Sequence, residues 1–258
     1  MFFVVFAWFY YWFWIAGAKV NGFKQGFNPL ALTDADWVPA ASKFINLDQK
    51  GLRLQEVTGN MEYITLAQLF SNPGLMSKCS IILLGGNETT GFGKTTIAKS
   101  LAASYVMWQV SQGGCSREAA FVHVSSTIDS LKDRTILPGQ CLLLDEFSPC
   151  DVSQNRNLSP EALKVLLDTK NLGSIWTRFG DTIIPPGARI FTANHTTPQS
   201  WVGERFDWTA PMQRKSFCFI ITKPLLQATA QAAAPAIATT SAAQGLGVLG
   251  FLRRATSW

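Results

Sequence analysis

The sequence predicts an α/β fold built on a parallel β-sheet with helices on both faces, and three observations predict it. Short, predominantly apolar runs occur at residues 81–84, 121–124, 141–144, 189–193 and 217–221. A run without alternation marks a strand buried on both sides. Helical patterns at 94–108 and 160–167 fall among these runs, as β–α–β units require. Two runs stop at residues that are costly to bury alone, Asp145 with Glu146 and Asn194, so those ends must meet water or a partner.

A chain of 258 residues with 47% apolar residues can bury a core for one domain with appendages or two small domains. The 22 Lys and Arg against 17 Asp and Glu give a net charge of +5. That balance is compatible with a polyanion partner such as nucleic acid without requiring one. The five cysteines, Cys79, Cys115, Cys141, Cys150 and Cys218, contain no closely spaced pair, and there are only two histidines. This argues against a Cys/His zinc site. It predicts reduced, buried thiols and an intracellular protein, nuclear or cytoplasmic.

Along the chain, residues 2–18 are uncharged and dominated by aromatics, among them Trp8, Tyr10, Tyr11, Trp12 and Trp14. As a helix this run would reach about 26 Å, just short of the ~30 Å hydrocarbon core. Trp and Tyr prefer the interface to the bilayer centre, however. Three readings stand. The run is a membrane anchor, with Lys19 and Lys24 placing the next domain in the cytoplasm. Alternatively, it is a signal cleaved near Ala16-Gly17-Ala18 but lacking a basic leader. In the third, it is a buried helix or an artefact of where the reading frame begins. Residues 19–78 read as a helical and irregular region, with one helix expected over 61–70 and ended by Asn72-Pro73-Gly74. Residues 79–224 form the expected core. Residues 225–258, rich in Ala, Thr and Gln, read as a disordered tail.

The first apolar run leads into Gly85-Gly86-Asn87-Glu88-Thr89-Thr90-Gly91-Phe92-Gly93-Lys94-Thr95-Thr96 and then a helical pattern. Strand, glycine-rich loop and helix in that order make a phosphate loop (Walker A). Glycines let backbone N–H groups turn inward around phosphate, and a helix N-terminus favours negative charge. Residues Gly91 to Thr96 (Gly91, Phe92, Gly93, Lys94, Thr95 and Thr96) would bind ATP, with Lys94 on the β- and γ-phosphates and the Thr95 hydroxyl on Mg²⁺. The loop departs from consensus, because Glu88 stands where the first glycine is usual. A carboxylate there costs binding energy unless it points to solvent.

About fifty residues downstream, the run 141–144 ends in Asp145-Glu146, the Walker B arrangement. Asp145 would hold Mg²⁺ and Glu146 would polarise the attacking water. Asn194, at the end of the run 189–193, is suited to orient that water or to contact the γ-phosphate. A turn-capping role is the alternative, given Thr196-Thr197-Pro198 behind it. The expectation is a P-loop NTPase.

These elements in this order resemble the superfamily 3 helicase domain of replication initiator (Rep) proteins from circular single-stranded DNA viruses, the circovirus branch in particular. Phe191-Thr192-Ala193-Asn194-His195-Thr196-Thr197-Pro198-Gln199-Ser200-Trp201 is similar to that family's strand, sensor Asn, Thr-Pro and Trp. Gln213-Arg214-Lys215 stands where the family has a basic pair before its last strand. Residues 175–184 are similar to its hairpin. The resemblance spans roughly residues 80–221. It implies an AAA-like core in a homo-oligomeric ring, usually a hexamer, with ATP bound between subunits. It further implies Arg214 as an arginine finger offered to the neighbouring subunit, Arg205 being the competing candidate. Arg178 at the hairpin tip would contact single-stranded nucleic acid. The family's nicking endonuclease needs a His pair, and residues 1–75 contain no His, so nicking is not expected. The resulting expectation is an ATP-dependent helicase or translocase on single-stranded DNA or RNA. The alternatives are a regulatory or assembly ATPase, free or held at a membrane through residues 2–18, and a decayed viral-derived P-loop protein.

Overall fold

The computed structural model describes residues 26–31, 42–55, 58–132, 134–151, 155, 158–177, 180–204 and 206–228. The aromatic run 2–18, Arg178, Arg205 and residues 229–258 lie outside the described residues. The start of the tail expected to be disordered from residue 225 is instead ordered, with Leu226–Ala228 pairing as a strand against Ser42–Phe44. In chain order the strands are β1 (Gly26–Phe27), β2 (Ser42–Phe44), β3 (Lys50–Leu54), β4 (Met61–Thr65), β5 (Ser80–Leu84), β6 (Val122–Ser125), β7 (Cys141–Leu144), β8 (Gly173–Thr177), β9 (Gly180–Ile184), β10 (Arg189–Ala193), β11 (Ser216–Ile220) and β12 (Leu226–Ala228). The helices are α1 (Leu66–Ser71), α2 (Lys94–Ser111), α3 (Pro160–Leu167), α4 (Pro198–Val202) and α5 (Ala210–Lys215).

Eight strands form one sheet in the order β1-β6-β7-β10-β5-β11-β3-β4. The five central strands are parallel, and all residues of β5, β6, β7 and β10 are buried. The edges run the other way. β1 is antiparallel to β6, and the β3–β4 hairpin is antiparallel to β11. The fold is therefore α/β with a mixed sheet, and the all-parallel expectation holds only for its centre.

Alternation along the buried strands feeds two separate cores. Ile81, Leu83, Leu143 and Ile190 face α1 and α2. Ile82, Leu84, Leu142, Leu144 and Phe191 face α3, Trp201 and Phe206. A sheet covered on both sides has no solvated face to alternate toward, which is why its strands read as unbroken apolar runs.

The helix expected over 61–70 is corrected. Its first half is strand β4, paired residue by residue with β3. Tyr63, Ile64 and Thr65 are aromatic and β-branched, and they favour a pleated surface over a helix. The helix starts at Leu66 because Thr65 and Gln68 form a capping box, each satisfying the other's free backbone N–H. The hairpin expected over 175–184 is present as β8 and β9. Ile175 and Ile184 turn inward, while Trp176 and Ile183 are exposed.

One ion pair ties the far end of the lower core together. Asp168, at the C-terminus of α3, meets the ammonium of Lys215 at the end of α5. Burial alone would raise the Asp168 carboxyl. Hydrogen bonds from Lys215, Asn171 and the Lys170 N–H outweigh it and bring the carboxyl down to about 2. Its folded-state pKa lies below the unfolded value, so its stabilisation is present at neutral pH and is lost as pH falls from about 4 toward 2. Asp168→Asn is expected to lower Tm by a few degrees at pH 7 and by much less near pH 2. Equal losses at both pH values would refute this role.

Among the described residues no helix is long and apolar enough to cross a membrane.

Candidate functional site at the carboxyl ends of the parallel strands

Sheet order decides which loops can meet. β10 is inserted between β5 and β7, with Ala193 beside Leu84 and Phe191 beside Leu144. The segments leaving β5, β10 and β7 therefore emerge within two strand spacings, about 10 Å. In open α/β sheets this carboxyl edge is where ligands bind.

The glycine-rich loop is a folded object. Asn87–Thr89 makes one 3₁₀ turn. The Thr89 N–H and hydroxyl both donate to the Gly86 carbonyl, at 2.9 and 2.7 Å. Lys94 then donates from Nζ to the Thr89 hydroxyl at 3.0 Å and to the Thr89 carbonyl at 3.3 Å. Gly91 and Gly93 hold φ of +84° and +89°, left-handed conformations that a side chain would strain. Gly93 is the N-cap of α2, and no side chain caps that helix. Its first-turn N–H groups therefore remain donors for an anion, with the helix dipole behind them. The loop also has an outer wall. The Leu225 N–H donates to the Phe92 carbonyl at 2.8 Å, and a Cβ on Gly93 would lie 2.6 Å from the Leu226 side chain.

Lys94 is only 7% exposed. Burial holds its ammonium below the ordinary lysine range, against the opposing pull of Glu88 and then Glu146. The lysine and both carboxylates thus share one electrostatic neighbourhood.

Asp145 is the hub of the second half. Its Oδ1 accepts the Thr95 hydroxyl at 2.8 Å and the Thr192 hydroxyl at 2.6 Å. Thr192 in turn accepts the Glu146 N–H at 2.9 Å. Glu146 sits at φ +54°, a left-handed turn that costs a non-glycine residue roughly 1 kcal/mol. The turn is pinned by the Glu146–Thr192 bond, by Phe147 N–H donating to the Thr192 carbonyl at 2.9 Å, and by the Trp201 indole donating to the Phe147 carbonyl at 2.7 Å. Asp145 is left half-buried and Glu146 exposed. A strained residue held by three bonds at a strand end is where function is usually found.

The structure thus brings Lys94, Thr95, Asp145 and Glu146 together, with Asn194 exposed at the end of the intervening strand. Phe92 contributes partly to the upper core. Thr96 is half-buried and its carbonyl accepts the Ser100 hydroxyl. Arg214 is not brought to the site. It precedes β11, whose first residue Ser216 pairs with Ser80 at the opposite end of the sheet. Arg214 cannot serve the phosphate loop of its own chain.

Three participants escaped the sequence reading. Thr192 and Thr89 are two of them; Thr192 joins Thr95 on Asp145 and Thr89 ties Gly86 to Lys94, and a buried Thr among apolar neighbours was the available signal for Thr192. The third is Lys99, one helical turn beyond Thr95. It is 4% exposed, and burial lowers its ammonium against the upward pull of Asp145. His195, next to Asn194, bonds from Nε2 to the Ser148 hydroxyl at 2.7 Å, a further strap between the β7 and β10 loops.

No protein-family model matches the chain, and no curated protein is similar to it.

Proposed function

We propose that the chain is a P-loop ATPase of AAA-like architecture that binds ATP with Mg²⁺ at the carboxyl edge of its central sheet. The single observation that carries this reading is the Thr95–Asp145–Thr192 oxygen cluster beside an uncapped helix start and Lys94. A hydroxyl and a carboxylate are hard oxygen donors suited to Mg²⁺. Their 2.8 Å separation matches the edge of an octahedral shell, about 2.9 Å for ligands at 2.0–2.1 Å. The donor set fits that ion, and Thr95 and Asp145 would hold it. When bound, Mg²⁺ supplies charge neutralisation on the phosphate oxygens.

The chain's own groups divide the remaining work. The α2 N–H groups and Lys94 cradle and fix the triphosphate. Glu146, exposed at the end of β7, accepts a proton from the attacking water at its carboxylate. Asn194 orients that water from the neighbouring strand. Thr192 keeps Asp145 and Glu146 in register.

Coupling to single-stranded nucleic acid, as in the superfamily 3 helicases that the motifs resemble, is the proposed use of turnover. Arg214, remote from its own phosphate loop, would then act on the neighbouring subunit of a homo-oligomeric ring. The test is ATPase turnover of the purified chain, with and without single-stranded DNA or RNA. Stimulation of several-fold by either polymer is expected. Turnover indifferent to both would remove the translocase reading and leave an ATPase of regulatory or assembly type.

A further inference from the structure

The one residue that breaks the loop's consensus also takes up a defined position in the fold. Glu88 lies on the 3₁₀ turn Asn87–Thr89, and its side chain folds back along the loop. A Cβ built on Gly86 would stand 2.3 Å from Oε2 and 2.4 Å from Oε1 of Glu88, so both carboxylate oxygens lie against the Gly86 backbone. The turn beneath it is fixed by Thr89, which is bonded to the Gly86 carbonyl on one side and to the Lys94 ammonium on the other. Glu88 is thus a negative charge borne on a hydrogen-bonded turn at the mouth of the proposed phosphate cradle, exposed to whatever arrives there. Lys94 carries its imprint, since Glu88 is the foremost of the two carboxylates acting on that ammonium.

A fixed anion beside a polyanion site does not act equally on all ligands. Its repulsion scales with the ligand's net charge, so a bare triphosphate is disfavoured more than one whose oxygens are shared with a divalent cation. We infer that Glu88 is a specificity-determining residue of this site, selecting the divalent-cation complex of the nucleotide over the free nucleotide. This rests on the nucleotide reading above. It gives the departure from consensus a purpose. The loop accepts a lower affinity for phosphate in general and gains discrimination by charge.

The experiment measures Kd for ATPγS by calorimetry in Mg²⁺ and in EDTA, for the wild type, Glu88→Gln, Glu88→Gly and Lys94→Met, each checked for folding by circular dichroism. Glu88→Gln is expected to tighten metal-free binding by about threefold to tenfold, the range for one nearby charge at partial exposure. It should change the Mg²⁺ complex by less than about twofold. Glu88→Gly should do the same. An equal change in both conditions, or none in either, overturns the inference about Glu88 while leaving the site intact. If the wild type binds no ATPγS, or Lys94→Met binds as tightly as the wild type, the nucleotide reading itself fails.

Discussion

Lys94→Ala is expected to weaken Mg-ATP binding by at least about 100-fold, or ~2.7 kcal/mol. Two losses combine. Charge-assisted bonds to phosphate are worth roughly 1.5–3 kcal/mol each. Removing the ammonium also leaves Glu88 and Glu146, the two carboxylates acting on it, facing the incoming polyanion without compensation. The loop itself should survive, because Thr89 keeps its bonds to Gly86 whether or not Lys94 is present. Lys94→Met preserves the buried stem and separates charge from packing. Calorimetric titration of both variants reads the result. An affinity within threefold of the wild type in both would show that no phosphate is held here.

Glu146→Gln is expected to leave ATP binding within a few-fold of the wild type and to slow turnover by about 10²–10⁴, the usual scale for losing a general base. The amide keeps the shape of the side chain. It also leaves untouched the backbone bond to Thr192 that holds the left-handed turn. What it cannot do is take a proton. Steady-state hydrolysis alongside a Kd separates the two effects. A variant that turns over normally would move the base elsewhere, whereas one that loses both binding and turnover would point to collapse of the turn. Glu146→Gly would then be informative, because glycine relieves the positive φ and still lacks the carboxylate.

The strands bearing the site were legible in the sequence because they are buried on both faces. Cys141–Leu144 and Arg189–Ala193 form where the apolar runs stand, and Lys94, Asp145 and Asn194 follow at ends that the runs themselves marked. The sheet edges were not legible. At β4 one side chain in two faces water, and the run continues without a break into α1, so Ile64 with Leu66, Leu69 and Phe70 mimicked helical spacing across a boundary set by the Thr65–Gln68 cap. Thr192 was hidden for a different reason. Its role depends on β10 lying between β5 and β7, and strand order is a long-range property that no local pattern carries. Arg214 showed the converse. Its place in the chain was read from resemblance, and the fold puts it at the end of the sheet away from its own Asp145.

The contact between Leu226 and Gly93 bears on how much of this chain is needed for phosphate chemistry. Every recognisable motif is complete by Ile221, so a shortened protein ending at Pro224 would retain each named side chain. It would nevertheless lose Leu225 and Leu226, and with them the strand that pairs with β2 and backs the start of α2. The N–H groups that would grip a nucleotide are held from behind by residues more than a hundred positions away. For this fold, the unit that supports the glycine-rich loop extends past the last motif.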